Sequence, residues 1–163
     1  HLYYALEVAC FAIAAALAAA LALRAAIPGR SRGPGGPIAV IVLAMIGTRL
    51  VMVGAPMRTG YPLAEFLHTG LGCAVATCAL GALPWITLWW AVKRGVPERG
   101  AAAGGLIGAA AMLFSFALMR LNCPIDEPLH VITWHLMPAL LLTALSAVAG
   151  ALWLRFRPRT RLN

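Results

Sequence analysis

Apolar residues form five long runs along this chain, and most of the charged residues lie in the short gaps between the runs. A helix needs roughly 20 residues to cross the hydrocarbon core of a bilayer, and every run is about that long or longer. An open strand in lipid would leave backbone groups unpaired, so we expect all five runs to be helices. They extend over about Leu2–Ile27, Pro37–Ala55, Leu67–Val92, Ala101–Met119 and His130–Leu154.

The composition supports the same fold class. The chain is 62% hydrophobic and 11% charged, with a mean hydropathy of +0.86, which is far outside the range of a soluble domain. We therefore predict an all-α, polytopic transmembrane helix bundle, in which residues 1–163 form a single domain in the lipid bilayer. The net charge of +8 would favour nucleic acid as a partner in a soluble protein. Here the basic residues lie in gaps between apolar runs, so we expect no direct contact with nucleic acid.

The basic residues also predict the orientation of the helices. Ten of the thirteen lie in the first gap, the third gap and the C-terminal tail. Because five successive helices cross the bilayer in alternating directions, these three segments lie on the same side of the membrane. Loops rich in Lys and Arg face the cytoplasm. We therefore expect a cytoplasmic C-terminus, a first residue on the outer side, and a parent protein with one more helix upstream, six in total. The ten are Arg24, Arg30, Arg32, Lys93, Arg94, Arg99, Arg155, Arg157, Arg159 and Arg161.

Several residues within the runs are expected to serve packing. Pro84 and Pro138 each remove a backbone donor, so we predict helix kinks there. Small residues at Gly104-Gly105 and Gly108–Ala111 permit close approach between helices. Four tryptophans lie toward the inner helix ends and fit an interfacial aromatic belt. They are Trp85, Trp89, Trp90 and Trp153.

The most unusual segment is the fourth gap, together with the start of the fifth run. One Cys, two carboxylates and two His fall between Cys123 and His135, in surroundings made mainly of Ala, Leu, Gly and Val. The predicted orientation places this segment on the outer side. The second gap lies on the same side and contributes Arg58, Tyr61, Glu65 and His68, with Cys73 about 9 Å below the start of the third helix. Glu7 lies near the outer end of the first helix.

Cys and His with nearby carboxylates are ligands for Zn, Cu or a similar ion. Alternatively, Cys73 and Cys123 could form a disulfide on an oxidising surface. His130 and His135 are five residues apart, which turns a side chain by about 140° on a regular helix. They therefore share no face unless His130 precedes the helix, and Pro128 favours a helix that begins near it.

Simpler interpretations remain for each group. Asp126 and Glu127 could cap the fifth helix, and we interpret Cys10 and Cys78 as packing residues. Haem ligation would require paired His at similar depth, and only His68 and His135 qualify, near the rim. The sequence contains no nucleophile–base pair, phosphate loop or zinc-protease motif, so it gives no support for an enzyme.

The segment Leu121-Asn-Cys-Pro-Ile-Asp-Glu-Pro-Leu-His-Val-Ile-Thr-Trp-His135 resembles the signature of the NrsF family of bacterial membrane-bound anti-sigma factors. A second similarity is His68-Thr-Gly-Leu-Gly-Cys73 with the later Leu83-Pro84, and a third is the basic turn Lys93-Arg-Gly-Val-Pro97. The resemblance implies a six-helix protein of the inner membrane. It would hold an extracytoplasmic-function sigma factor inactive until a heavy metal or an oxidant acts.

The resemblance also implies roles for individual residues. The paired cysteines of the family correspond to Cys73 and Cys123, which would be the sensing pair. His68, Asp126, His130 and His135 would be supporting groups. Together with the two cysteines, these four residues are also the metal ligands that we predict from the residue types. The family's cytoplasmic N-terminal segment and first helix, expected to help bind the sigma factor, are absent from this sequence.

Two other functions fit the sequence. The small-residue helix faces would suit a structural or accessory subunit of a larger membrane complex. The Cys and His residues would suit a small metal-binding or transport protein, which needs polar residues continuing through the bilayer. Below Cys73 there are mainly Thr77, Cys78 and Thr87, which is little for a transport pathway.

Overall fold

A computed structural model describes residues 2–29, 33–54 and 62–154. Over these ranges the chain is all-α, and its five long helices are each long and apolar enough to cross a membrane. The predicted fold class is confirmed. The helices are α1 (Leu2–Ala25), α2 (Gly35–Gly54), α3 (Leu63–Lys93), α4 (Gly100–Asn122) and α5 (Pro128–Trp153). Predictions that concern His1, Arg30, Arg32, Ala55, Arg58, Tyr61 and the tail residues from Arg155 to Arg161 lie outside the described residues.

Two helix ends differ from the predicted ones in a way that affects the site. α3 begins at Leu63 rather than near Leu67, so Glu65 belongs to its first turn instead of the second gap. α4 ends at Asn122 rather than at Met119, so Arg120 belongs to its last turn instead of the fourth gap. In both cases polar residues continue the helix beyond its apolar stretch, which hydropathy alone does not detect.

Helix α4 lies at the centre of the bundle. It packs against α1, α3 and α5, while α2 packs mainly against α1. The aromatic rings of Phe11 in α1 and Phe116 in α4 are 4.2 Å apart, centroid to centroid, and both side chains are buried. Because α4 contacts three neighbours, a displacement at one of its ends affects most of the bundle.

Close packing of α4 against α5 depends on small residues, as predicted. A Cβ atom at Gly104 would meet the Cα of Gly150 at 2.8 Å, and one at Gly108 would meet the Cα of Thr143 at the same distance. The Ser146 hydroxyl donates a hydrogen bond to the Gly104 carbonyl oxygen at 2.6 Å. It also accepts one from the indole N–H of Trp85 at 2.9 Å. Trp85 thus takes part in the packing of α3 on α5, and its place in an interfacial aromatic belt stays a prediction.

The first and third gaps lie together at one end of the bundle. The Val96 N–H donates to the Ala26 carbonyl oxygen at 2.9 Å. The Gly29 N–H donates to Glu98 Oε1 at 3.0 Å. At the opposite end the start of α1 meets the end of α4, where the Tyr4 hydroxyl donates to the Arg120 carbonyl oxygen at 2.5 Å. The alternation of gaps is therefore as predicted, and the side of the membrane that each end faces stays a prediction.

Helix α5 contains a π-helical turn at Ile132–Leu136, directly before Pro138. The Met137 N–H donates to the Ile132 carbonyl oxygen, five residues back instead of four. Pro138 has no N–H, and its ring would clash with the carbonyl of the residue four positions earlier in a regular helix. The irregularity predicted at this proline is therefore a widened turn on its N-terminal side.

Candidate functional site

Cys73 and Cys123 meet at the same end of the bundle as Arg120. Cys73 lies on α3 and Cys123 is the first residue after α4, and their Sγ atoms are 3.8 Å apart. Both are free thiols. Cys123 is buried and Cys73 is half-buried. The structure therefore brings together the two cysteines that the sequence singled out, without a covalent bond between them.

Two histidines of α5 complete the cluster. The Nε2 atom of His130 lies 3.7 Å from the Sγ atom of Cys123. The rings of His130 and His135 are 5.4 Å apart, centroid to centroid. One ligand atom from each of Cys73, Cys123, His130 and His135 lies within 4.8 Å of the other three. We call these four residues the Cys₂His₂ cluster.

The π-helical turn is what brings both histidines to the cluster. His130 lies within α5 rather than before it, so the prediction that the two histidines would then share no face is wrong. In a regular α-helix five residues correspond to about 140° of excess rotation. A π turn closes its hydrogen bonds over five residues, so positions five apart lie nearly above one another. Pro138 was the signal in the sequence for this change.

The surroundings of the two histidines are apolar and aromatic. His130 and His135 are almost fully buried. The ring of Phe66 stands edge-on to His130, and that of Phe116 stands edge-on to His135. Among the described residues, neither ring nitrogen of His135 has a hydrogen-bond partner. Buried polar atoms are normally satisfied because leaving them unpaired is costly, so His135 requires an explanation.

Other residues predicted for the site lie elsewhere. His68 is exposed on α3 and does not belong to the Cys₂His₂ cluster, which contains the buried His135. Asp126 is exposed and accepts a hydrogen bond from Arg120 Nη1 at 3.1 Å. Glu127 is the residue before α5, but its side chain makes no capping hydrogen bond. The structure thus does not support a capping role for these carboxylates through side-chain hydrogen bonds.

A buried ion pair next to the cluster was missed by sequence reasoning. Arg120 forms a salt bridge with Glu7 of α1, and both side chains are 4% exposed. Arg120 therefore connects α1, the end of α4 and the loop that carries Asp126. The sequence did contain a signal, because Glu7 is the only acidic residue inside the five apolar runs. Ionisable groups at such depth usually have a partner.

A second missed contact joins α3 to the π-helical turn. The indole of Trp134 lies so close to Gly70 that a Cβ atom there would overlap the ring. The ring of Phe66 packs on the same indole, at a centroid distance of 5.5 Å. Gly70 lies one turn before Cys73 on α3. This contact fixes the π-helical turn at the height of the cysteine.

A protein-family model described as NrsF, negative regulator of sigma F, matches residues 2–156. The chain belongs to the NrsF family. No curated protein and no solved structure matches it. The family name indicates that NrsF proteins are negative regulators of a sigma factor, which confirms the resemblance. In this NrsF chain, two of the sequence segments behind that resemblance contain all four members of the Cys₂His₂ cluster. One segment ends at Cys73 and the other ends at His135.

Proposed function

We propose that this NrsF chain is the membrane-embedded sensor of an anti-sigma factor. It would keep an extracytoplasmic-function sigma factor inactive until a metal ion or an oxidant acts at Cys73 and Cys123. The observation that carries this proposal is the 3.8 Å separation of the two sulfur atoms, one on α3 and the other directly after α4. A reaction at this pair changes the relation between α3 and α4 directly.

The position of the pair explains how a local reaction affects the bundle. Cys123 lies in the short segment between α4 and α5, and α4 is the central helix. Arg120, three residues earlier, is bound to Glu7 of α1. A ligand shifts a conformational equilibrium only through its different affinities for the two states. A signal that favours one arrangement of the Cys123 segment therefore favours one arrangement of α1, α3, α4 and α5.

The sigma factor would bind at the opposite end. The predicted orientation makes that end cytoplasmic, in the inner membrane of a bacterium. There the first and third gaps are joined by the hydrogen bond from Val96 to Ala26. Because α3 and α4 connect both ends, a change at Cys73 and Cys123 reaches these loops through rigid helices.

An oxidant and a metal ion would act differently on the pair. With hydrogen peroxide, the two thiols lose two electrons and two protons, an S–S bond forms, the O–O bond breaks, and the peroxide is reduced to two water molecules. The sulfur atoms would have to approach from 3.8 Å to about 2.0 Å. With a metal ion, each sulfur binds as a thiolate and the protons are released to solvent.

The test is a reporter assay with the full-length protein and its sigma factor in cells. Cys73→Ser and Cys123→Ser should still repress the reporter but lose induction by zinc salts and by peroxide. Cys78→Ser is the matched control, since Cys78 lies on the same helix outside the cluster, and it should respond like the wild type. Membrane insertion and sigma-factor copurification are measured for each variant. Unchanged induction in both cluster variants would overturn the proposal.

A further inference from the structure

We propose that Cys73, Cys123, His130 and His135 form a closed, four-ligand site for a tetrahedral divalent ion of the zinc class. This inference rests on the proposed function, because it names the ligand and the full ligand set of the same sensing site. It adds both histidines as direct ligands, and it leaves His68 and Asp126 outside the coordination sphere.

The distances fit such an ion. Zn–S bonds of about 2.3 Å and Zn–N bonds of about 2.0 Å at tetrahedral angles place two sulfur atoms about 3.8 Å apart, and a sulfur and a nitrogen about 3.5 Å apart. The two sulfurs are 3.8 Å apart, and Cys123 Sγ lies 3.7 Å from His130 Nε2. All four ligand atoms lie within 4.8 Å of one another. Small side-chain rotations therefore suffice to close the site.

His135 provides the second, independent observation. Its side chain is fully buried, and among the described residues neither of its ring nitrogens has a hydrogen-bond partner. A metal–nitrogen bond would satisfy one of these atoms. A pair of hydrogen-bonded thiols accounts for the distance between Cys73 and Cys123 equally well, but it leaves His135 unexplained. The metal site accounts for both observations.

The ligand types select the class of metal. Two thiolates and two imidazoles suit Zn²⁺ and related borderline or soft ions, whereas Mg²⁺ and Ca²⁺ prefer oxygen ligands. Four protein ligands leave no open position for a substrate, which is typical of structural and sensing sites rather than catalytic ones. Cys73 is only half-buried, so an ion can approach from its side of the cluster.

The metal would join three parts of the fold. Cys73 lies on α3, Cys123 directly follows α4, and both histidines are on α5. His135 reaches the cluster because of the π-helical turn at Ile132–Leu136, and such turns occur frequently at functional sites. Binding would therefore fix the end of α4 relative to these positions on α3 and α5.

The experiment uses the purified full chain in detergent micelles, reduced, freed of metal and titrated with Zn²⁺. We expect one bound zinc per chain by elemental analysis. Co²⁺ should give the intense visible absorption of a tetrahedral thiolate complex, and Zn²⁺ should displace it. Cys73→Ser, Cys123→Ser, His130→Ala and His135→Ala should each weaken zinc binding by more than about 100-fold, beyond what loss of an outer-shell partner costs.

Two matched controls and one rescue variant keep the test decisive. His68→Ala and Cys78→Ser remove the same chemical groups from α3 outside the cluster, and both should bind zinc like the wild type. His135→Cys replaces one ligand type by another. It should retain the ion while shifting the Co²⁺ spectrum to that of a three-thiolate site, which a variant that merely misfolds would not do.

The outcomes separate this inference from the proposed function. No zinc binding, or equal zinc binding by His135→Ala and the wild type, would overturn the four-ligand site even if Cys73→Ser still abolished induction in cells. Zinc binding with the expected ligand dependence would support the site even if sigma-factor control were unaffected by all four ligand substitutions. In that second case only the proposed function would fail.

Discussion

Arg120 of α4 and Glu7 of α1 form a salt bridge in which both side chains are 4% exposed. The two residues are far apart in the sequence, and their salt bridge lies at the same end of the bundle as Cys123. Arg120 also contacts Asp126 of the loop after Cys123. This pair, together with the hydrogen bond from the Tyr4 hydroxyl to the Arg120 carbonyl oxygen, connects the first helix to the segment that carries the candidate site.

Removal of one partner of this pair should destabilise the protein strongly. Arg120→Ala or Glu7→Ala leaves the other charge buried and uncompensated, which costs about 3–5 kcal/mol for buried ion pairs. Replacing both residues by Met should cost far less, because no uncompensated charge remains. The measurement is the free energy of unfolding in mixed detergent–SDS micelles.

The control for this prediction is Arg49→Ala, at an exposed position of α2. It should change the free energy of unfolding by less than about 0.5 kcal/mol. A double variant as unstable as the single ones would contradict this account.

Asp126→Asn should lower the free energy of unfolding much less than Arg120→Ala or Glu7→Ala. The Asp126 side chain is 65% exposed, so solvent surrounds its 3.1 Å ion pair with Arg120. Exposed ion pairs contribute less than about 1 kcal/mol and weaken with salt. The free energy of unfolding of Asp126→Asn and of the wild type, measured at low and at high ionic strength, checks both the size of this contribution and its dependence on salt. A loss as large as that of Glu7→Ala would contradict this ranking and would show that the loop contact stabilises Arg120 as much as the α1 contact does.

Hydropathy was enough to predict the five helices and the shared location of Cys73 and Cys123, because helix length and alternation across a bilayer follow from the apolar runs. The histidine positions were harder to predict. The spacing of His130 and His135 was judged on a regular helix, whereas the π-helical turn before Pro138 changes which positions share a face. Proline indicates that the helix is disturbed there, but the form of the disturbance depends on packing.

The contacts missed from the sequence are those that depend on partners distant in the chain. The sequence predicts that Glu7 lies near the outer end of the first helix, but nothing local identifies Arg120 as its partner. Gly70 lies within the segment from His68 to Cys73, yet its role follows only from the indole of Trp134 that packs against it. Such contacts require the packing of helices on one another, which apolar periodicity does not specify when every face is apolar.

The small-residue contact between α4 and α5 should be intolerant of added volume. Gly104→Val places methyl groups where the backbone of Ser146 and Gly150 lies, and overpacking of this kind costs about 1–3 kcal/mol. Gly105→Val is the matched control, because a Cβ there meets only the Ala147 methyl carbon at 3.4 Å, an ordinary contact distance. The measurement is the free energy of unfolding of the two variants in the same micelles. Equal loss in both would mean that α4 and α5 do not pack through Gly104.

The orientation in the membrane can be measured with single cysteines. Asn122→Cys and Lys93→Cys mark exposed positions at opposite ends of the bundle, in a chain whose native cysteines are replaced by Ala. The positive-inside rule predicts that a membrane-impermeant maleimide labels position 122 in intact spheroplasts and position 93 only after lysis. The reverse pattern would place Cys73 and Cys123 in the reducing cytoplasm and would remove disulfide formation from their chemistry.

Gly70→Ala should weaken zinc binding although it changes none of the four ligands. The added methyl group overlaps the Trp134 indole, which forces the π-helical turn away from α3 and so moves His135 relative to Cys73. A displacement of about 1 Å is enough to impair a metal site that needs preorganised ligands. Gly72→Ala is the matched control, because a Cβ there meets no described atom within 4 Å. Zinc titration of the two variants, with helix content measured in parallel, gives the answer. Equal zinc affinity in both would show that the contact between Trp134 and Gly70 does not hold the ligands in position.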